Sequence, residues 1–235
     1  NRSGNVKWAM ASQAITSAAN FITSVLLVRG LGLEQFGRFS VGFLLIMVTR
    51  NFLNGMVLTP MSVVAPRLRS GSGAAYRGFL LSNVIVFCLG AAFLLWSSSV
   101  PLGALLNAPW LPEFAIAVAV ASAATNFTDF LRRYFFVRNT GAAAFTVDLL
   151  GYTVQLALLV AVYALAPDVL SPTFALWSLT VGSIIAGLFG VFRYGKISWH
   201  RRLWRTTWPR HWNFTKWMTP TMALQSVEGQ APMFI

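Results

Sequence analysis

Three ionisable side chains stand in apolar surroundings, and two more crowd beside one of them. Arg50 lies inside the stretch Phe39–Met61, among Phe, Leu, Ile, Met and Val. A guanidinium there stays charged at any working pH, and its planar fork suits the oxygens of phosphate or carboxylate. Asp129 and Asp148 are carboxylates in similarly apolar stretches. Asp129, Arg132 and Arg133 are spaced i, i+3 and i+4, so a helix can pair both arginines with the carboxylate on one face. Gln13, Asn51, Asn54 and Asn126 add neutral polar groups, joined by Thr49, Thr128 and Gln155. Together they describe a wet, net-positive cavity in which arginine binds an anion. Asp129 and Asp148 either pair with the arginines or hold a coupling ion, H+ or Na+. The two histidines, His200 and His211, stand in a basic stretch away from these groups, and Cys88 is a lone cysteine in an apolar one. No nucleophile–base set, metal cluster or disulfide framework is spelled. The expectation is a protein that is not an enzyme and carries no cofactor.

Such groups must be positioned by membrane-spanning helices. Hydrophobic residues make up 56% of the 235 and charged ones only 10%, far from the balance of a soluble domain. Six apolar segments recur: Trp8–Val28, Phe39–Met61, Phe79–Ser99, Phe114–Val137, Ala143–Ala166 and Phe174–Phe192. Each is about 20 residues or slightly more, enough to cross a hydrocarbon layer ~30 Å thick as a helix. A seventh opens near Phe214. Glycine and proline mark short turns, among them Gly30-Leu31-Gly32 with Gly37, Gly71-Ser72-Gly73 and Pro101 with Pro109 and Pro112. Short links force antiparallel neighbours. The fold class is therefore all-α integral membrane. Residues 1–193 form a six-helix lobe, 194–212 a basic, Trp-rich interfacial linker, and 213–235 the start of helix seven. The chain is expected to be a fragment of a longer protein. Ser183 and Gly187 form a small-xxx-small pair that allows close helix contact in span six.

The cations sort by side. Fifteen of the eighteen Lys and Arg residues fall before span one, after spans two and six, or at the end of span four, and the connections after spans three and five carry none. By the positive-inside rule the N-terminus and the linker are cytoplasmic. That distribution also explains the net charge of +12 without a nucleic-acid partner. Arg29, Arg38 and Arg50 break the pattern. Arg29 and Arg38 flank the first outer turn, with Glu34 between them, where they can snorkel to headgroups or serve the cavity. Arg50 has no topological role. Eleven residues into its span, it lies ~16 Å from the outer edge, at an insertion cost of about 2.5–3.5 kcal/mol that its neighbours can offset.

After span six, Trp204, Trp208 and Trp212 recur every four residues among Arg201, Arg202, Arg205, Arg210 and His211. If helical, this is an amphipathic element in the cytoplasmic interface, interrupted by Pro209. It anchors two halves or collects anionic lipid-linked substrate at the surface. Lys7-Trp8 and Lys216-Trp217 open spans one and seven, and at the same offset Ala14 matches Ala223 and Ser17 matches Ser226. Such a repeat suggests a second half in parallel orientation.

The run Leu27-Val28-Arg29-Gly30-Leu31-Gly32-Leu33-Glu34-Gln35-Phe36-Gly37-Arg38-Phe39, preceded by Ala11-Ser12-Gln13, resembles the first-helix signature of Wzx-type polysaccharide transporters. These are flippases of the multidrug/oligosaccharidyl-lipid/polysaccharide exporter superfamily. Asp129-Phe130-Leu131-Arg132-Arg133-Tyr134, followed by Asp148, resembles their fourth-to-fifth helix region. The resemblance implies a two-lobe, MATE-like transporter in the bacterial cytoplasmic (inner) membrane, of which this chain supplies the first lobe. It implies alternating access that moves an undecaprenyl-diphosphate-linked oligosaccharide, an O-antigen, capsule or exopolysaccharide unit, to the outer face. It also implies membrane lipids and the polysaccharide polymerase machinery as partners. No binding residue is transferred by it. On burial alone Arg50, with Arg29, Arg132 or Arg133, is expected to grip the diphosphate. The alternatives are a multidrug exporter of the same superfamily, a membrane-embedded polysaccharide polymerase or acyltransferase, and a scaffold that transports nothing.

Overall fold

A computed structural model describes residues 2–67 and 73–199, together with 205, 207–209, 211–213, 215–218, 220 and 221. Arg69, Arg201, Arg202, Trp204, Arg210, the onset at Phe214 and the repeat partners Ala223 and Ser226 lie outside the described residues. Among those described there are helices and no strands. The long elements are α1 (Arg2–Leu53), α3 (Gly73–Leu105), α4 (Leu111–Val137), α5 (Gly141–Leu165) and α6 (Pro172–Tyr194). A short α2 (Thr59–Val64) follows a π-helical turn over Asn54–Leu58. Five helical stretches are long and apolar enough to cross a membrane, so the chain is built as a multi-pass membrane protein.

The first of these stretches holds both of the first two expected spans. Its helical hydrogen bonding is interrupted at Gly32, where φ is 76° and ψ 173°. A side chain rarely tolerates that conformation, so glycine permits the reversal. Neighbours along each arm give its direction. Asn5 donates to the Asn139 side chain at 2.9 Å, Gln155 to Thr23 at 3.3 Å, and Gly30 lies against Tyr163 and Leu170. Residues 2–31 therefore run beside α5, in the same direction. Gly42 packs on Phe114 and Val118, Thr49 meets Ser122 at 2.8 Å, and Met61 shares a cleft with Phe136. Residues 33–53 therefore run back beside α4. The turn expected across Gly30 to Gly37 is one residue long, and Gly37 is helical.

Two apolar clusters fill the bundle. One holds Leu53, Met61, Phe79, Leu80, Phe130 and Leu131, toward the end where the N-terminus lies. The other holds Leu27, Ile46, Phe114, Val118, Leu159 and Leu176, toward the opposite end. Between them lies a polar waist. Thr49, Ser122 and Asn126 form one hydrogen-bonded group there, and Thr23 with Gln155 forms another. These bonds engage the amide donors of Asn126 and Gln155 where water is scarce, while their amide oxygens stay unpaired.

Close backbone approach holds α5 on α6. A Cβ built on Gly182 would collide with the Gly151 carbonyl, and one on Gly190 would meet Leu131 at 2.8 Å. Gly190 faces α4 rather than α5, as does the Ser183/Gly187 pair: Thr128 Oγ1 donates to the Ser183 carbonyl at 2.9 Å and Gly187 has ordinary spacing to Phe127 and Thr128.

Beyond α6 the chain folds over the start of α3. Arg77 Nε donates to the Lys196 carbonyl at 2.7 Å, Ser198 N–H to the Ala74 carbonyl at 3.1 Å, and Tyr194 Oη to the Arg77 carbonyl at 3.1 Å. His211 Nε2 lies 3.0 Å from Tyr76 Oη, with its ring edge-on to Phe79. The described residues around Pro209, 207–209 and 211–213, are helical.

Two outcomes follow from this packing. Gly182→Val should lower the detergent-state unfolding midpoint of the protein, at a cost of roughly 1–3 kcal/mol for overpacking, whereas Gly37→Ala, which meets open space, should not. Burial pushes His211 down to about 4. An undocked histidine titrates near 6.5, so the docked form loses stability progressively as pH falls from about 6.5 to about 4. Protease cleavage within 200–212 should accelerate over that window, and His211→Gln should flatten the dependence.

Candidate functional site

The charged groups of the waist gather at the junction of α1, α4, α5 and α6. Asp129 lies on the enclosed side of α4 with Arg132 partly exposed one turn on, and Asp148 lies about two turns into α5. Helical spacing does the first part of the work. Asp129 Oδ1 accepts from Arg132 Nη2 at 2.6 Å, and Asp129 Oδ2 from Arg133 Nε at 3.3 Å. Arg132 then reaches across the helix boundary, with Nη1 3.6 Å from Asp148 Oδ2. That is an ion pair but too long for a hydrogen bond. The Asp129 side chain is 4% exposed, while Arg133 is 43% exposed. Arg132 is thus the buried link and Arg133 the outlying one.

Arg50 faces the same group from α1. It lines a cavity of ≈ 70 Å³ together with Thr16, Asp129, Arg132, Asp148 and Gln155. Its Nη1 lies 3.9 Å from Met47 Sδ, its buried Nε has no hydrogen-bond partner, and no ion pair joins it to any described residue. Three guanidinium groups here meet two carboxylates, so the group is net positive; Arg50 lies in the field of Asp129 without an ion-pair contact. Buried oxygens of Thr16, Asp148 and Gln155 also lack hydrogen-bond partners. The cavity therefore presents donors and acceptors that a polar guest could use.

A second, larger cleft of ≈ 350 Å³ opens toward the end holding the N-terminus. Ser12, Gln13, Arg132 and Arg133 form its polar wall, and Met61 and Phe136 belong to its apolar one. Arg132 lines both spaces. A ligand with an anionic head and an apolar part meets matching surfaces there.

The expected residues divide clearly. Arg50, Asp129, Arg132 and Asp148 converge, and Arg133 and Gln13 belong to the cleft. Gln13 also donates to Ser17 Oγ at 3.4 Å. Asn126 is fully buried in the waist, donating to Thr49 at 3.0 Å and Ser122 at 3.2 Å, and serves as structure rather than lining. Asn51 and Asn54 stand beside Arg50 on the same helix and its π turn, lining neither space. Arg29 is exposed at the opposite end, beside Gly30, and lines neither space. Arg38 pairs with Glu34 at 2.9 Å and lies 4.9 Å from the Trp110 ring centre, a local surface role.

Thr16 lines the smaller cavity, as the cluster of hydroxyls in the first half of span one suggests, and so does Ser183, read from the sequence as a packing residue; Thr125 and Tyr152, which line it too, were passed over. Nothing in the local sequence singles out Tyr152. Among the described residues no group of three or more His, Cys, Asp or Glu is placed to hold a metal.

Asp129→Ala should destabilise the protein by about 3–5 kcal/mol, the usual cost of leaving buried partners uncompensated. Arg133→Ala, at the exposed edge, should cost about 1 kcal/mol or less. Thermal unfolding in detergent measures both, and equal losses would refute the division between buried link and outlying arm. No family model, curated protein or solved structure matches this chain.

Proposed function

We propose that the chain is the first lobe of a two-lobe, MATE-like exporter in the bacterial inner membrane. Its N-terminus and basic linker are cytoplasmic. Its substrate is an undecaprenyl-diphosphate-linked oligosaccharide, carried from the cytoplasmic to the outer face by alternating access.

The observation that carries this reading is Arg50. A guanidinium set between two apolar clusters, in the field of Asp129 but in no ion pair among the described residues, is only partly compensated by the structure around it. Beside Arg132 it supplies the paired forks that phosphate oxygens accept. The larger cleft supports the same reading, since its arginine wall and apolar wall match a phosphate that carries a lipid. The smaller cavity, at ≈ 70 Å³, has room for a few water molecules and none for a sugar. Transport therefore requires the second lobe and a more open state. Asp148, held only loosely by Arg132, is the carboxylate suited to H+ or Na+ coupling. A net-positive site is a poor host for the cationic substrates of a multidrug exporter.

In the complete protein, Arg50→Ala should reduce surface polysaccharide at least tenfold at normal protein level. Arg50→Lys should retain only part, because an ammonium loses the bidentate fork. Arg29→Ala should leave export near wild type. Undiminished export by Arg50→Ala, with the protein present and folded, sinks the assignment.

A further inference from the structure

The segment after α6 is turned inside out relative to an ordinary surface helix. Its buried described residues are Thr207, His211 and Thr215, one every four positions, so a polar stripe faces the bundle. Thr215 Oγ1 donates to the Met56 carbonyl at 3.0 Å, and His211 lies against Tyr76 and Phe79. The outward side instead carries Arg205, Trp208, Trp212 and Lys216, at positions that share one face of a helix. Trp208 and Trp212 are 47% and 51% exposed, with rings stacked 6.4 Å apart at 15°. Lys216 Nζ lies 5.9 Å from the Trp217 ring centre.

We propose that this stripe is a binding surface for the headgroups of acidic phospholipids in the leaflet it borders. Three features select that occupant. Indoles interleaved with cations suit the boundary where acyl chains give way to phosphodiesters, because each ring has an apolar body and a donating N–H. The charge is one-signed: seven Lys and Arg residues lie from Arg193 to Lys216, and no Asp or Glu occurs between Asp168 and Glu228. Anionic headgroups are the complementary charge on a membrane surface. Finally, Thr215 and His211 fix the segment against Met56 and the first turns of α3. That places the stripe where the helices emerge from the apolar layer. The indoles hold the glycerol level while Arg205 and Lys216 bind phosphate.

The test uses the full-length protein in neutral detergent, with its unfolding midpoint followed as lipid is added. Dioleoyl-phosphatidylglycerol should raise the midpoint by roughly 2–4 °C, whereas dioleoyl-phosphatidylcholine and inorganic phosphate should not. The Arg205→Gln/Lys216→Gln variant should lose most of that shift, and Trp208→Ala/Trp212→Ala should reduce it. The Arg205→Gln/Lys216→Gln variant should not lower the lipid-free midpoint, since both side chains are exposed. An undiminished shift in both variants overturns the proposal, as does an equal response to phosphate alone. A lower lipid-free midpoint in both also overturns it, by showing that the stripe is covered by protein. The surface stands on its own geometry, so its failure leaves the Arg50 reading intact.

Discussion

A carboxylate inside an apolar helix bundle must be met by cations, and Asp129 sets much of the surrounding arrangement by that demand. It takes both arginines from the next turn of its own helix, so α4 arrives with the charge already compensated. Arg132 then has capacity left over, which it turns toward Asp148 on α5. One helix-internal pair thereby becomes a tie between helices. The two apolar clusters close above and below this layer, and the hydroxyl–amide groups around Ser122 and Gln155 complete it. Desolvation makes such a layer costly unless every member is paired. Most members are, and Thr16, Arg50, Asp148 and Gln155, each with an unpaired buried atom, line one cavity.

Proline has a comparable influence on the second arm of α1. Pro60 has no N–H, so the Met56 carbonyl loses its usual α-helical donor, and the ring crowds that carbonyl. The helix responds with the π turn at Asn54–Leu58, a common way to absorb such an interruption. Met56 becomes available to an outside donor, and the Thr215 hydroxyl takes it. The segment after α6 is thus bonded to a turn that begins four residues after Arg50. His211 on Tyr76 makes a second attachment, on α3.

Much of this was legible in the sequence because the governing rules are local. The i, i+3, i+4 spacing of Asp129, Arg132 and Arg133 gave their pairing directly. Segment length and hydropathy marked the spans, and the apolar company of Arg50 marked it as exceptional. What escaped depends on contacts between segments far apart in the chain. The meeting of Arg132 with Asp148 requires the α4–α5 register. Arg29 was left between a headgroup role and a cavity role, and only the packing shows that it lines neither space. The first turn was overestimated because three glycines invite a loop, while one positive φ at Gly32 suffices. The inward polar stripe of the linker was hidden by its tryptophans, whose amphipathic character reads the same whichever way they face.

The arrangement also limits how an opening motion could occur. Asp129 and its two arginines belong to one continuous helix, so α4 carries that charge group as a rigid body. Gly151 and Gly182 lock α5 to α6 through backbone contact, which leaves little freedom to slide. The second arm of α1 differs. It is bounded by the reversal at Gly32 and the π turn at Asn54–Leu58, and Arg50 lies near its lower end. Under the proposed transport cycle, the least costly displacement moves this arm against a fixed α4. Arg50 would then shift relative to Arg132 while Asp129 kept its partners. The waist could widen without breaking the buried ion pairs that hold it together.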